Sequence, residues 1–431
     1  MSDSIISRSP RKPIGLWITL MVLGVLIGIG TWRLVSNMQP IASPAGIVGP
    51  PVRAATPDGD RVMLLTSQWR SFNAPSRGLN RRTYTDLLMD VWAFDAATGK
   101  PVWRRRISAD RSGVNMGREI LGAQDGVLWV LQPTGLIGLS TLDGAVVADT
   151  AKIEAANPAL KGLLPTEAQY YVFDAGGLRL TAADGRKWRL AGAGLKAVAD
   201  SPAPTTPAPG VFLHARVAGG NGTWAFMARG LHTRGLWLGL MDEEEAKTYG
   251  SQNVMGGIDP TTHPRTRLWF SKLGTKQTFF GEQLVYQGFK PYPDSPEFLQ
   301  GGLLTDNRIN ALPIMLFKPD SVLVLDRDRL GDKGRLRLTR ISGPRGKVIW
   351  TADLPMQGVE AVMPGETSIV LTGRRDEETG ARKPGDRLVS VDQLVAIDYA
   401  TGKMGAYGFL VKSTKPEDIP VSSTVLPETK P

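Results

Sequence analysis

The chain has 431 residues, a formal net charge of +10 and no cysteine. Without cysteine it cannot form disulfides, thiolate zinc sites or a thiol nucleophile, so proteins that depend on these are excluded. The basic residues are spread along the sequence in pieces such as residues 104–106. Since no run of five or more basic residues occurs, of the kind that a nucleic-acid-binding arm carries, we expect no nucleic-acid partner.

The first element in the chain is an apolar segment without any charge between Lys12 and Arg33. A helix rises about 1.5 Å per residue, so this segment covers roughly 30 Å, the thickness of the hydrocarbon core of a bilayer. We predict a single transmembrane helix over residues 13–33. Because basic residues precede it, residues 1–12 are expected in the cytoplasm and the domain that follows in the periplasm, on the outer face of the inner (cytoplasmic) membrane.

A cleaved signal peptide is the alternative to this signal-anchor. Signal peptides have a shorter apolar core, of about 7–15 residues, followed closely by a small-residue cleavage site. Here the nearest candidate site lies at residues 43–45 and contains Pro44, so we expect an uncleaved anchor, although the sequence leaves cleavage open. Gly24 and Gly28 form a G-x-x-x-G pair that would suit a contact between two membrane helices, but glycine is common in such helices in any case.

Two stretches without apolar periodicity flank the rest of the chain. Residues 34–58 are rich in proline and glycine and predict an extended linker. Residues 412–431 contain four prolines and predict a disordered tail. Between them, residues 59–411 show short runs of β-forming residues separated by turns, which predicts an all-β domain.

A turn of the form D-x-x-T-G recurs between these runs. The clearest copy has Asp95, Gly99 and Trp103, and a second has Asp398 and Gly402 followed by an aromatic residue, Tyr407. Weaker copies place turn residues at Asp143 and Gly144, at Asp184, Gly185 and Trp188, and at Gly346 and Trp350. The aspartate can accept hydrogen bonds from the turn backbone, and glycine tolerates a positive φ.

The spacing of these turns predicts the architecture. The first three turn glycines, at positions 99, 144 and 185, lie 45 and 41 residues apart, which matches one four-stranded blade of a β-propeller. Roughly 350 residues at about 45 per blade give seven or eight blades, and we favour seven. The first and last strands of a propeller commonly share a blade, so we expect residues 60–70 to pair near residues 389–410.

The D-x-x-T-G-x-x-x-W hairpin resembles the repeat of the PQQ-like (quinoprotein-type) β-propellers. This family includes a non-enzymatic branch, with the propeller subunit of the outer-membrane β-barrel assembly machinery. The resemblance implies that the repeat residues hold blades together and touch no ligand. It implies that three tryptophans, Trp103, Trp188 and Trp350, are buried between adjacent blades.

No group of residues predicts catalysis. An enzymatic quinoprotein needs a quinone site, a bound Ca²⁺ and an acidic base, and its alcohol-dehydrogenase type adds a vicinal disulfide that this chain cannot form. The histidines, His214, His232 and His263, lack the close spacing that is typical of metal sites. Residues 243–245 are three glutamates that suit the first turn of a short helix. We predict no catalytic, cofactor-binding or metal-binding residue and no cofactor.

These observations predict a membrane-anchored periplasmic β-propeller that binds or scaffolds other proteins without catalysis. Its partner would be a membrane or periplasmic protein. Two alternatives stay open: a PQQ-dependent membrane-bound dehydrogenase, and a propeller that binds or hydrolyses cell-wall glycans. The last would need paired carboxylates that face the central channel.

Overall fold

The structure is a computed structural model, and it describes most of the chain from residue 41 to residue 409. The described residues are Met21 and residues 41–74, 82–110, 117–174, 176–190, 195–200, 227–228, 230–233, 235–249, 264–279, 281–306, 314–315, 317–318, 321–331, 334–343, 345–377 and 389–409. They fold almost entirely as antiparallel β-sheets.

The first sheet contains five strands and is buried on both faces. Its strands are β1 (Ile41–Ala42), β2 (Gly46–Ala54), β3 (Arg61–Ala74), β4 (Arg82–Asp95) and β5 (Pro101–Asp110). Strand β3 pairs with β4 on one edge and with both β1 and β2 on the other. Consecutive β3 residues such as Met63 and Leu64 are both fully buried, because each face of the sheet packs against a neighbouring sheet.

Strand β2 lies inside the stretch that we expected to be a linker, residues 34–58. Ile47, Val48 and Val52 pair with β3, so this part of the chain belongs to the sheet. The pairing register shifts between Val48 and Val52, around Pro50 and Pro51. Proline cannot donate to a ladder, and a bulge is where a sheet accepts it. The linker prediction was wrong for residues 46–54, because prolines that resemble chain breakers occupy a bulge.

The second and third sheets have four strands each. The second consists of β6 (Glu119–Gln124), β7 (Val127–Gln132), β8 (Gly135–Ser140) and β9 (Val146–Asp149). Helix α1 (Thr150–Ala156) and two 3₁₀ turns (Pro158–Leu160 and Ala168–Tyr170) follow it. The third consists of β10 (Tyr171–Asp174), β11 (Gly177–Thr181), β12 (Lys187–Leu190) and β13 (Ala197–Ala199). In both sheets the strands pair in sequence order.

The fourth sheet has twelve strands. The first six are β14 (Met227–Ala228), β15 (Gly230–Thr233), β16 (Leu236–Met241), β17 (Arg265–Thr278), β18 (Gly281–Tyr286) and β19 (Lys290–Pro291). The others are β20 (Phe298–Asp306), β21 (Ile314–Met315), β22 (Phe317–Lys318), β23 (Ser321–Arg327), β24 (Leu336–Ser342) and β25 (Val348–Asp353). Its main path runs β15-β16-β17-β20-β23-β24-β25.

Helix α2 (Glu243–Tyr249) lies between β16 and β17, and the acidic run predicted it. The N–H of Glu245 donates to the Asp242 carboxylate at 2.8 Å, and the N–H of Asp242 donates to Glu245 Oε2 at 2.8 Å. This reciprocal pair is a capping box, which satisfies backbone donors at the start of the helix.

The fifth sheet closes the described part of the chain. It contains β26 (Gly358–Pro364), β27 (Ser368–Glu377), β28 (Val389–Asp398) and β29 (Met404–Gly408). Apolar side chains pack the sheets against each other in the order third, second, first, fifth, fourth. A fifth cluster joins two parts of the fourth sheet, with β16 and β17 on one side and β20 and β23 on the other. Sheets that pack face to face in succession form a propeller-like arrangement.

The first and fifth sheets meet where the two ends of the domain come together. The N–H of Ala45 donates to the Phe409 carbonyl at 3.2 Å, and the N–H of Ile47 donates to Asp392 Oδ2 at 2.6 Å. In the described part of the chain, strand β3 nevertheless pairs only with strands of its own sheet. The expectation that residues 60–70 pair with residues 389–410 was therefore wrong: the two segments lie in neighbouring sheets and pack through side chains.

The predicted membrane segment, residues 13–33, lies outside the described residues except for Met21, and Gly24 and Gly28 lie outside them as well. Residues 1–12 and 412–431 also fall outside. Within the described ranges, no helix combines the length and apolar character needed to cross a membrane.

Candidate functional site

The two best copies of the predicted turn have the same hydrogen bonds. Asp95 Oδ1 accepts from the N–H and the hydroxyl of Thr98, at 2.8 and 2.7 Å. Asp398 Oδ1 accepts from the N–H and the hydroxyl of Thr401, at 2.8 and 2.7 Å. Burial alone would raise the pKa of Asp95, but the hydrogen bonds from Thr98 and the charge of Arg61 lower it overall. Both aspartates therefore use their carboxylates to hold a turn.

The turn glycines have the backbone conformation that the pattern requires. Gly99 and Gly402 have φ values of +68° and +70°. The weaker copies agree, with positive φ at Gly144, Gly185 and Gly346. The carboxylates of Asp143 and Asp184 accept N–H groups two residues ahead, at 3.0 Å in each case.

Two of the predicted tryptophans lie between sheets, each against the turn of the next sheet along the chain. Trp103, on β5, donates through Nε1 to the Thr141 carbonyl at 3.0 Å, and its ring lies where a Cβ on Gly144 would come within 2.7 Å. Trp350, on β25, donates through Nε1 to the Tyr399 carbonyl at 2.8 Å. A Cβ on Gly402 would lie 2.6 Å from its ring. The same contact thus occurs at two separate interfaces.

Two further turns are covered by residues that the sequence pattern did not identify. A Cβ on Gly346 would lie 2.6 Å from Tyr292, so a tyrosine occupies the position of the tryptophan. A Cβ on Gly99 would lie 2.9 Å from the carbonyl oxygen of Gly405, so a backbone covers this turn. Tyr292 lies outside every copy of the repeat, and Gly405 lies inside one at a position to which the pattern assigns no role, so only the structure reveals these two contacts.

Trp188 is placed differently from the other two tryptophans. It is partly buried in the cluster between the second and third sheets, and the guanidinium of Arg186 lies 5.5 Å from its ring. Its Nε1 is buried without a hydrogen-bond partner in the described part of the chain. Residues 201–226, which follow the third sheet, lie outside the described ranges, so the predicted contact with the next blade stays a prediction.

The residues considered for chemistry are only partly within the described structure. His232 lies on β15, whereas His214 and His263 lie outside the described residues. The three glutamates at 243–245 begin helix α2. Among the described residues, no group of three histidine, aspartate or glutamate side chains is placed to hold a metal ion.

Two carboxylates pair with the same arginine near the contact between the first and fifth sheets. Arg374 Nε lies 2.9 Å from Glu360 and 3.1 Å from Asp392. Burial raises the pKa of Glu360, and the charge of Arg374 opposes this. Both oxygens of Asp392 are engaged, Oδ1 by Arg374 and Oδ2 by the N–H of Ile47. This arrangement links two sheets and leaves Asp392 no free oxygen for acid–base catalysis.

A second buried aspartate in the first sheet is saturated in the same way. Asp90 is 3% exposed and accepts from Arg104 and from Arg106, the latter at 2.8 Å to Oδ1. The Arg104 guanidinium also lies 4.8 Å from the ring of Trp92. Both oxygens of Asp90 are thus engaged by arginines, which leaves no free oxygen for acid–base chemistry.

Asp326, on β23, is the buried carboxylate with a free oxygen. It pairs with Arg337 through Oδ2, while Oδ1 is buried without a partner among the described residues. Burial raises the pKa of Asp326 to about 6, although Arg337 acts in the opposite direction. Burial disfavours the charged form of a carboxyl group, so a buried carboxylate with an oxygen that lacks a hydrogen bond is more readily protonated.

Three hairpins continue beyond the sheets that carry them. In the first sheet, β3 and β4 pair as far as Ala74 and Arg82, whereas β5 pairs with β4 only as far as Leu87. The fifth sheet ends the same way, since residues 375–377 pair with residues 389–391 alone. In the fourth sheet, residues 274–278 pair with residues 281–285. We call these three segments the ribbons: residues 72–74 with 82–84, residues 375–377 with 389–391, and residues 274–278 with 281–285. Strand β1 pairs with β3 just before the first ribbon, at Arg70 and Ser71, and in the described structure no further strand pairs with the ribbon edges.

Large apolar residues are exposed at two of the ribbons. Phe279, at the tip of the fourth-sheet ribbon, is 98% exposed, and Trp69, near the base of the first, is 44% exposed. A two-stranded ribbon is marginal in water on its own, and open strand edges pair readily with other chains. The ribbons therefore combine open strand edges with exposed aromatic side chains, which are features that suit contact with another protein.

Comparisons with known proteins add little to this description. No protein-family model matches the chain, and no curated protein matches it. One similar solved structure is the crystal structure of BamB from Moraxella catarrhalis, at 10% sequence identity and a TM-score of 0.18. The match covers 85% of this chain and 91% of that chain. Since the TM-score is so low, the propeller-like description rests on the sheets themselves.

Proposed function

We propose that this protein is a non-catalytic, propeller-like scaffold that is anchored in the inner membrane and binds other proteins on the periplasmic side. The observation that carries the proposal is the set of ribbons, which present open strand edges and exposed aromatic side chains from rigid sheets. Extended hairpins on a fixed scaffold are a common way to build a binding surface. The partner would be a membrane or periplasmic protein.

The anchoring part of the proposal depends on residues 13–33, whose sequence suits a transmembrane helix. A single anchor would keep the domain beside membrane-bound machinery. The finer architecture that we propose is a closed ring of seven blades over residues 59–411, extended at its N-terminal end by β2. Continuous packing from the third sheet to the fourth supports a ring, since the first and fifth sheets are neighbours within that series.

Site-specific photo-crosslinking in membranes tests the binding proposal. A photoreactive phenylalanine analogue replaces Phe279 in one variant and Trp69 in another. The matched control replaces Tyr170, which has a similar exposure of 42% and lies outside the ribbons. We expect a discrete protein adduct from the ribbon positions and none from position 170. The same yield at all three positions, or no protein adduct at the ribbons, would contradict the proposal.

The enzymatic alternatives have their own tests. Purified protein reconstituted with PQQ and Ca²⁺ should show no dye-linked oxidation of sugars or alcohols, and turnover would favour the dehydrogenase. Release of soluble fragments from purified cell-wall glycan would favour the hydrolase. Either activity should survive replacement of Phe279, whereas protein binding at the ribbon should not.

A further inference from the structure

The first described strand, β1, pairs with the C-terminal half of strand β3. Ile41 and Ala42 pair with Ser71 and Arg70. The next residue, Ser43, donates its N–H to the Trp69 carbonyl at 2.9 Å, and its hydroxyl oxygen accepts from the N–H of Trp69 at 3.0 Å. The position and direction of the chain are therefore fixed before β2 begins.

The antiparallel pairing sets the direction of strand β1. Ile41 lies opposite Ser71 and Ala42 lies opposite Arg70, so strand β1 begins toward the end of β3 where Ala74 lies and runs away from it. That end carries the ribbon of the first sheet. The turn from Asp95 to Gly99 lies at the other end, because Arg61 pairs with Asp95.

The fifth sheet has the same orientation as the first. Gly405, three residues after the turn glycine of the fifth sheet, contacts Thr98 and Gly99 of the first sheet. The turns of the first and fifth sheets therefore lie on the same side of the domain. Asp392 contacts Ile47 further along the sheets, and the fifth-sheet ribbon continues beyond Asp392. The domain therefore has a ribbon side and a turn side across these two sheets.

The distance that the chain can reach decides which side faces a membrane. Eight residues, 34–41, follow the predicted anchor, and fully extended they span at most about 29 Å. Strand β3 needs ten residues to pass from Ser71 to Arg61, which is about 33 Å. If the turn side faced the membrane, Ile41 would stand about 33 Å above it, beyond the reach of the chain.

We propose that the ribbon side of the first and fifth sheets faces the lipid headgroups and that the turn side faces away from the membrane. This inference rests on the proposed anchor at residues 13–33. It places Trp69, 44% exposed, on the side toward the headgroups, where tryptophan rings are favourable. Partners that lie in the membrane would meet the ribbons of these two sheets.

Because the chain has no cysteine, a single introduced cysteine carries a fluorophore without a background signal. The ribbon-side variants are Trp69→Cys and Asp376→Cys, and the turn-side variants are Ala97→Cys and Ala400→Cys, the last three at exposed positions. The labelled full-length chain is placed in nanodiscs of phosphatidylcholine and phosphatidylglycerol that contain a lipid with a nitroxide on its headgroup. The measured quantity is quenching of the fluorophore by the nitroxide.

We expect severalfold stronger quenching at positions 69 and 376 than at positions 97 and 400. Insertion of twenty Gly/Ser residues after Pro40 adds a flexible chain of about 25 Å and should weaken the quenching at position 69. Equal quenching on both sides, or stronger quenching on the turn side, overturns the orientation while the anchor stands. A chain that elutes apart from the nanodiscs overturns the anchor, and the orientation with it.

Discussion

The indole Nε1 of Trp103 donates to the carbonyl oxygen of Thr141 at 3.0 Å, and this bond joins the first sheet to the second. Trp103 is 2% exposed, so its ring contributes burial as well as a hydrogen bond. Trp350 makes the equivalent contact with Tyr399 between the fourth and fifth sheets. These tryptophans act as links between sheets.

The first prediction concerns this link. Trp103→Ala should lower the free energy of unfolding by about 3–5 kcal/mol, because it removes a large buried ring. Trp103→Phe keeps most of the buried area but loses the hydrogen bond. It should therefore lower the free energy of unfolding by only about 1 kcal/mol. Urea unfolding of the detergent-purified chain measures both changes. Trp69→Ala, at an exposed position, is the control, and a loss as large as that of Trp103→Ala there would contradict the assignment.

The second prediction separates two reasons for glycine in the turns. Gly144→Ala introduces a Cβ 2.7 Å from the Trp103 ring at a φ of +70°. Gly185 has a φ of +84° with nothing within 4 Å of its Cβ position, so Gly185→Ala carries the backbone strain alone. We expect about 1 kcal/mol of destabilisation at Gly185 and a clearly larger loss at Gly144 in the same unfolding assay. Equal losses would show that the contact with Trp103 is unimportant.

The third prediction uses the hydroxyl of Thr401. Hydrogen bonds from its side chain and N–H lower the pKa of Asp398, so their stabilising effect is present above the ordinary value of 3.8 and is lost as pH falls through the lowered pKa. Thr401→Val should therefore destabilise the protein by about 1 kcal/mol at pH 7, and by less at pH 2–3. The control is Thr56→Val, since the Thr56 hydroxyl donates to the Gly59 carbonyl. Its effect should not depend on pH.

The fourth prediction concerns the buried carboxylate of Asp326. Its pKa is raised from 3.8 to about 6, so the folded state binds the proton more tightly than the unfolded state does. The resulting stabilisation is complete below pH 3.8 and is lost as pH rises through 6. A shift of this size corresponds to on the order of 3 kcal/mol. As pH falls from 7.5 to 4, wild type should therefore gain stability relative to Asp326→Asn.

The matched control for this measurement lies on the same hairpin. A hydrogen bond from the Arg335 side chain lowers the pKa of Asp328, so its stabilising effect is lost only as pH falls below 3.8. The stability difference between wild type and Asp328→Asn should therefore stay nearly constant from pH 7.5 to 4. Unfolding titrations at four or five pH values would measure both variants. If the stability difference between wild type and Asp326→Asn stayed constant across that range, the buried carboxylate would not titrate near pH 6.

The sequence predicted the features that are local and repeated. Asp95, Gly99 and Trp103 lie within nine residues, and the copy at Asp398 has the same hydrogen bonds in its turn, so the pattern could be read without the fold. Tyr292 could not be found in this way, because it reaches its turn glycine, Gly346, from a distant part of the chain.

Strand β2 was missed for a different reason. Pro50 and Pro51 resemble the composition of a linker, and only the pairing with β3 shows that they lie in a bulge. The ribbons were also invisible in the sequence, because an alternating strand pattern does not show where its partner strands end. Likewise, the contact of Arg374 with Glu360 and Asp392 depends on the packing of strands far apart in the chain.

The adjacency of the first and fifth sheets has a consequence for synthesis. One face of the first sheet, with Val62 and Phe94, is covered by Leu394 and Phe409 of the fifth sheet. The first sheet is complete at Asp110, whereas the fifth begins at Gly358. Roughly 250 residues separate them, and at about 5–20 residues per second their translation takes about 12–50 s. During that interval the nascent chain carries an uncovered apolar sheet, which makes it a natural client for a holding chaperone.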